Sequence, residues 1–272
     1  MAKTTNIYFP TDEIEKIFVK SIWRLTEKEL TSRREIILPK GTVEIIFNFA
    51  DDIFYLNHTL HLPKILPVVF VNGINFKPVE LIKTGNQDFL GIQLNGIGLR
   101  LLFNISVKEF NDNIYEGSEI HLSLKLLADK LYCCRTFSQQ TEIIRAWLRR
   151  QSPSMSCHYA IHRAQRLLSL INGNNLSIKK ISEEICLSSR QLRRFSIDWL
   201  GMNTEELSQY SKYLACLYAI HQAKNTLTNI GLEAGYYDQS HFIREFKSYT
   251  NMTPKQYGDA NAEYPGHILL KT

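Results

Sequence analysis

The sequence contains no C-x-x-C pair, and its five cysteines (Cys133, Cys134, Cys157, Cys186 and Cys216) are odd in number and scattered. That suits neither a disulfide framework nor a zinc ribbon, and reduced thiols are expected. No apolar run reaches the roughly 18 residues that a membrane span needs. The opening, MAKTTNIYFPTDE, lacks the charged-then-apolar layout of a signal peptide, so a cytoplasmic chain without membrane contact is expected. Charge of one sign is also scarce. Against 27 acidic residues stand 32 Lys and Arg, a net +5 that permits an anionic partner without demonstrating one. What is plentiful is apolar mass: 44% of the 272 residues, enough for at least one ordinary core, which excludes disorder as the main reading.

The texture of the chain changes near residue 155. Before about residue 95, short β-branched and aromatic runs read as strands: 17–23, 34–38, 43–49, 52–56, 67–71, 79–82 and 89–94. Turn signals at Pro39-Lys40-Gly41, Asn72-Gly73 and Gly85-Asn86 set them at hairpin spacing, which predicts an antiparallel sheet or small barrel. Such a body can enclose a small-molecule effector or merely a core. Tyr8, Trp23, Phe47, Phe49, Phe54, Tyr55 and Phe70 are the aromatic residues that could line a cavity.

From residue 97 the period lengthens. Ile120, Leu124, Leu127, Leu131 and Cys134 share one helical face, and a second helix over 138–149 carries Ile143, Ile144, Trp147 and Leu148. These two helices serve either as a homodimer surface or as packing on their own sheet. The stretch Gln151-Ser-Pro-Ser-Met-Ser156 reads as an exposed connection. The expected fold class is therefore α+β, with a β-rich regulatory or sensor domain over 1–155 and an all-helical domain over 156–272.

Within the helical half, residues 176–201, LSIKKISEEICLSSRQLRRFSIDWLG, predict a short helix, a tight turn and a second helix capped by Ser188. Leu192, Phe195 and Trp199 are expected to face inward, leaving Ser189, Arg190, Arg193 and Arg194 displayed. Arginines on a helix after a tight turn are how a protein places donors in the major groove. The planar guanidinium meets guanine O6 and N7 together, worth about 1 to 3 kcal/mol of discrimination per good pair. Residues 226–248, TLTNIGLEAGYYDQSHFIREFKS, repeat the arrangement, with Gly235 in the turn, Asp238 as cap, and Phe242 and Phe246 facing the core. Gln239, Ser240, His241 and Arg244 are left for the groove. Leu207, Tyr210, Leu214, Leu217 and Tyr218 form one stripe of a continuous helix joining the two heads. Successive major grooves lie about 34 Å apart on one DNA face, so two stiffly joined heads can read adjacent grooves.

Residues 158–258 resemble the two-headed DNA-binding domain of the AraC/XylS family of bacterial transcription regulators. The stretch IGLEAGYYDQSHFIREFKSYTNMTPKQY is similar along its full length to that family's closing signature. The resemblance implies that Gly235, Tyr236, Phe242, Phe246, Pro254 and Tyr257 are architectural. It implies that Gln239, Ser240, His241 and Arg244 contact bases or phosphates, and that regulation is mostly activation through RNA polymerase. Three departures stand out. The first head has Ser196-Ile197 where the family carries Phe-Lys, which leaves open whether Arg193 or Arg194 faces the bases. The linker helix lacks the family's arginine and has only Lys212 nearby. Gly231 replaces the usual alanine, at about 1 kcal/mol of helix stability. The stretch REIILPKGTVEIIFNF is similar to β-rich domains that precede this binding domain in some regulators, which implies a sensing or oligomerising role.

The expected function is thus a sequence-specific regulator, not an enzyme, bound to double-stranded DNA. Lys179, Lys180, Lys212 and Lys247 are expected on phosphates. The alternative fuses the DNA-binding half to an enzymatic or protein-adaptor N-terminal half, for which His58, His61 and His121 lack a convincing local partner. His158 and His162 sit four apart without a further ligand, so no metal is expected, nor any cofactor.

Overall fold

Two strands are long enough to bend, and the N-terminal half is built around them. The computed structural model describes residues 3–56, 63–151, 157–173, 176–223 and 225–270. In it β1 (Lys3–Tyr8) leads through α1 (Glu13–Phe18) into the 19-residue strand β2 (Val19–Ile37). After it come β3 (Val43–Asn48), β4 (Ile53–Leu56), β5 (Lys64–Ile65) and β6 (Val69–Asn72), and then the 16-residue strand β7 (Val79–Leu94). The half is completed by α2 (Gly98–Phe103), a 3-10 turn (Val107–Phe110), β8 (Ile114–Glu116), α3 (Gly117–Ile120), α4 (Leu122–Tyr132) and α5 (Phe137–Arg150). The helical half runs α6 (His158–Gly173), α7 (Ile178–Ile185), α8 (Ser189–Leu200), α9 (Thr204–His221), α10 (Leu227–Glu233), α11 (Gln239–Thr250) and α12 (Pro254–Gly258). The described chain then ends in a hairpin, β9 (Ala262–Tyr264) and β10 (His267–Leu270). No helix among the described residues is long and apolar enough to cross a membrane.

All strand pairings are antiparallel, in the order β8-β6-β3-β7-β2-β10-β9, with β1 also on β2 and β4 on β7. Two pairs of expected strands are in fact single strands: 17–23 and 34–38 belong largely to β2, and 79–82 and 89–94 to β7. Residues 17 and 18 close α1 instead. The turn expected at Gly85-Asn86 lies inside β7, opposite two bulges of β2. The register between β2 and β7 shifts on both sides of the Leu30–Gly85 pair, and Gly85 takes φ +68° while Asp51 Oδ2 accepts from the Asn86 amide at 2.7 Å. Each shift sets two residues of β2 against one of β7, with Glu29 left-handed at φ 59°, and such an extra residue bends a strand without ending it. Each long strand can therefore serve two partners along its length, β1 then β10 for β2, and β4 then β3 for β7. The expected connection at 151–156 lies almost wholly outside the described residues. α4 buries Leu124, Leu127 and Leu131, α5 buries Ile144, Trp147 and Leu148, and the two pack together on their own sheet.

The bent sheet forms an open barrel with β8 and β9 at its edges, and one core cluster runs through both halves, from Phe18 of α1 and Ile45 and Phe47 of β3 to Leu192, Tyr213 and Phe246 of the helices. Buried tyrosines of α9 bond to barrel carbonyls. Tyr213 Oη donates to the Pro39 carbonyl at 2.7 Å and Tyr210 Oη to that of Asn75 at 3.0 Å, while the Gly41 amide donates back to Tyr210 Oη. Gly41 is required here: at φ +66° it sits so close to α9 that a Cβ would lie 2.6 Å from Leu214 Cδ1. α8 packs its C-terminal end on the 3-10 turn, where Asn111 Nδ2 donates to the Gly201 carbonyl at 2.7 Å and Arg100 pairs with Asp198 at 3.2 Å.

The end of the helical half expected at 156–272 is not helical: after α12 the chain forms the β9–β10 hairpin. β10 pairs with β2 from His267–Ile37 to Leu270–Arg34, so the last strands belong to the N-terminal sheet. Leu38 N donates to the Gly266 carbonyl at 2.7 Å, Gly266 N donates to Tyr257 Oη at 3.0 Å, and Ile268 is buried. His267 has its Nε2 2.8 Å from Lys40 Nζ. Burial, together with the charges of Lys40, Lys83 and Lys3, holds its pKa well below 6.5. A released hairpin would titrate near the ordinary value and bind more protons than the seated one. Seating is therefore fully stable above about pH 6.5 and weakens as the pH falls below it, by at most about 1.4 kcal/mol per pH unit. Hydrogen exchange over 262–270, corrected for intrinsic rates, should accelerate as the pH drops from about 7 to about 5.5. In His267→Gln that acceleration should vanish; if it persists unchanged, the imidazole is not the group responsible.

Candidate nucleic-acid interface

Each head is a short helix, a left-handed residue and a capped second helix. In the first, Ser177 caps α7 by accepting from the Lys180 amide, and Cys186 makes the left-handed turn at φ 56°. Ser188 then forms a reciprocal capping box with Gln191. In the second, Thr226 caps α10, Gly235 turns at φ 84°, and Asp238 accepts from the His241 amide at 2.7 Å. The two second helices bury equivalent stripes, Leu192, Ser196 and Leu200 on α8 and Phe242, Phe246 and Thr250 on α11. Both end in a left-handed residue, Gly201 and Asn251.

This corrects the expected inward stripe of the first head. Phe195 and Trp199 are only half-buried and stack on one another at 5.7 Å, with Arg163 over Phe195 and Arg100 over Trp199. Ser196 takes the buried position instead because its hydroxyl donates to the Met202 carbonyl at 2.7 Å, so nothing polar is left unsatisfied. With about 100° per residue, Arg194 points about 160° away from the buried stripe, Arg190 about 120° and Arg193 only about 60°. All three are exposed, as are Ser189, Gln239, Ser240, Arg244 and Lys247. Arg244 stands on α11 where Arg194 stands on α8.

Two expected contacts are otherwise engaged. Lys212 is half-buried and its Nζ donates to the Gly235 carbonyl at 3.1 Å, bracing the turn of the second head. His241 is half-buried, with Nε2 3.3 Å from Glu245 Oε2 and its ring edge-on to Tyr236 at 5.4 Å. Gln191, at the corresponding place on α8, is held by its capping box. Lys179 and Lys180 are exposed at the start of α7. The linking stripe also differs: α9 buries Leu207, Tyr210, Tyr213, Cys216, Leu217 and Ile220, while Tyr218 is exposed and donates to the Lys40 carbonyl. Burial pushes the Cys216 thiol up to about 12.

His158 and His162 are both exposed on α6, and no group of three or more His, Cys, Asp or Glu that could hold a metal occurs among the described residues. His121 caps α4 through Nδ1, and His58 and His61 lie outside the described residues. Of the aromatic residues proposed for a cavity, Trp23 and Phe70 line one; Phe47 lies in the main core and Phe54 is exposed. Sequence reasoning missed the left-handed Cys186, whose type gives no signal for that conformation. It also missed the cluster of Lys40, Glu44, Lys83 and His267, which are far apart in the chain.

Residues 181–260 match the family model of a helix-turn-helix domain, and residues 8–116 match a domain of unknown function (DUF6597). An uncharacterized HTH-type transcriptional regulator of Haemophilus influenzae is 25% identical over 84 residues, 31% of this chain and 28% of that protein. One of Staphylococcus aureus is 26% identical over 172 residues, 62% of this chain and 21% of that protein. The chain thus spans less than a third of the length of either relative. Among solved structures, ToxT from Vibrio cholerae has a TM-score of 0.46 at 12% identity, covering 95% of this chain and 98% of that one. The C-terminal domain of AraT, a response regulator from Geobacillus stearothermophilus, has a TM-score of 0.34 at 19% identity, covering 39% and 87%.

Gly231 offers a sharp check on how the second head is packed. A Cβ there would lie 3.0 Å from Phe242 Cδ1 and 3.2 Å from Cγ, and Phe242 is itself wedged between Tyr236 and Phe246. Helix propensity alone would make Gly231→Ala stabilising by about 1 kcal/mol. The packing should reverse the sign, lowering the unfolding free energy by about 1 kcal/mol or more, seen as a lower urea midpoint; a raised midpoint would show that Phe242 has room to move.

Proposed function

We propose that this chain, a member of the AraC/XylS family of helix-turn-helix transcription regulators, reads two successive major grooves and activates transcription under control of its N-terminal half. The observation that carries this reading is the shared construction of α8 and α11. Both present an exposed arginine, Arg194 and Arg244, at the same place relative to the buried stripe. The 18-residue helix α9 joins the heads, about 27 Å long at 1.5 Å per residue, which is near the spacing of adjacent grooves.

In this reading Arg194 and Arg244 reach base edges, with Arg190, Arg193, Ser189, Gln239 and Ser240 beside them. Lys179, Lys180 and Lys247 contact phosphates. His241 and Lys212 set the second head through Glu245 and the Gly235 carbonyl, and reach DNA only from those positions. RNA polymerase is the partner for activation. The barrel acts on the heads through the carbonyls that bind α9 and through the hairpin, which follows α12 directly and lies in the sheet. A small-molecule effector inside the barrel is the input. A homodimer would use the outer face of α4, where Leu122 and Leu126 are exposed.

Selection of bound sequences from a random DNA pool tests this directly. One enriched site of two half-sites about one helical turn apart is expected, and a site twice that length would indicate two copies. Arg194→Ala should weaken specific binding by about tenfold or more, or relax one base position, while sparing random DNA. Lys179→Ala should weaken both alike and flatten the salt dependence by about one unit of slope. Equal losses on specific and random DNA for Arg194→Ala would remove its assigned role.

A further inference from the structure

Inside the barrel lies a cavity of about 130 Å³. Its walls include Ile46, Ile53, Leu66, Phe70, Phe89 and Ile114, and its polar end is made by Lys40, Glu44, Lys83 and His267. The same polar residues also line a wider space of about 400 Å³ under the terminal hairpin, past Tyr218 and Tyr264. A cavity of the inner size, lined by aliphatic and aromatic groups, is on the scale that takes a single ring or a short branched chain.

The charges lining the two spaces, taken with their direct ion-pair partners, are equal in number: Lys3, Arg33, Lys40 and Lys83 against Glu27, Glu35, Glu44 and Glu263. Most of them are closed into pairs. Arg33 bonds Glu27 at 2.7 and 2.8 Å and Glu35 at 2.6 Å, and Lys83 bonds Glu35 at 2.8 Å. Lys40 and Glu44 are the exception, standing 3.7 Å apart, beyond hydrogen-bond reach. The Lys40 ammonium, with three donors, has the neutral His267 ring at 2.8 Å, and Glu44 Oε1 accepts from Trp23 Nε1 at 3.2 Å. Both retain bonding capacity toward the space between them. A guest with net charge would leave one buried charge uncompensated, at a large desolvation cost, whereas a guest carrying both signs would not.

We propose that this cavity binds a free α-amino acid with an apolar side chain, its carboxylate on Lys40, its ammonium on Glu44 and its side chain among the aliphatic walls. This rests on the reading of the N-terminal half as regulatory, and supplies the class of its effector. Because Lys40 also meets His267, the guest's head group would lie against the hairpin that follows α12, which gives occupancy a direct route to the second head.

The test is thermal unfolding of the full chain without DNA, in L-leucine, L-isoleucine, L-valine, L-methionine or L-phenylalanine at about 10 mM. At least one should raise the melting temperature saturably, by about 2 °C or more. Glycine, and the single-charge analogues 4-methylpentanoate and isoamylamine, should not. Lys40→Met should lose the shift, and so should Ile114→Phe, which fills the cavity without touching the charges; their ligand-free melting shows whether they fold. No shift with any of the five, equal shifts with a single-charge analogue, or a shift that survives both substitutions would overturn the proposal. Gel shift on the selected DNA site, without any amino acid, separates the two readings: intact DNA binding beside failed amino-acid binding removes the effector class alone.

Discussion

Buried hydroxyls need acceptors, and in this protein those of the helix joining the two heads find them in the barrel. Tyr210 and Tyr213 are almost wholly enclosed, and burial pushes both phenols up so that they stay protonated donors. Their acceptors are the carbonyls of Asn75 and Pro39, on segments that end or begin barrel strands. A phenol left without that partner in a dry interior would cost about 1 to 3 kcal/mol. The helix is therefore fixed to the barrel at a particular height and rotation, and Gly41 allows the approach. Head position follows from this, since α8 precedes α9 closely and α10 follows it.

The terminal hairpin adds a second tie of a different kind. A four-residue strand on the long β2 contributes backbone hydrogen bonds and one buried isoleucine, with a histidine held neutral among lysines. That is a modest seat, sensitive to what surrounds His267, and it lies next to the barrel cavity. The tyrosine contacts provide rigidity, whereas the hairpin joins the last helix of the helical half to the part of the barrel that holds the cavity.

The heads were largely legible before any fold was known. Their caps are residues whose side chains accept from the first turn, Ser188 and Asp238, and caps act over three residues, within the reach of a local reading. Gly235 was legible because only a glycine turns so freely. The inward stripe of the first head was not, because Phe195 and Trp199 outrank Ser196 on hydrophobicity alone. What reversed that order was the carbonyl of Met202, which satisfies a serine hydroxyl in the core, and the cations of Arg100 and Arg163, which make a half-exposed aromatic pair comfortable. The strands were seen but miscounted, since a left-handed glycine within a bent strand and one in a turn carry the same residue signals.

The sequence by itself determined the two-headed helical plan and the exposed residues of the second helices, because periodicity, caps and turn glycines act within a few residues of themselves. Only the tertiary structure decided that the last strands belong to the first domain's sheet, that α9 hangs from barrel carbonyls, and that Lys40, Glu44, Lys83 and His267 share one cavity end. Those are contacts between residues tens to hundreds of positions apart, with no local pattern to mark them, and they exist because buried polar groups must be paired wherever the chain brings a partner within reach.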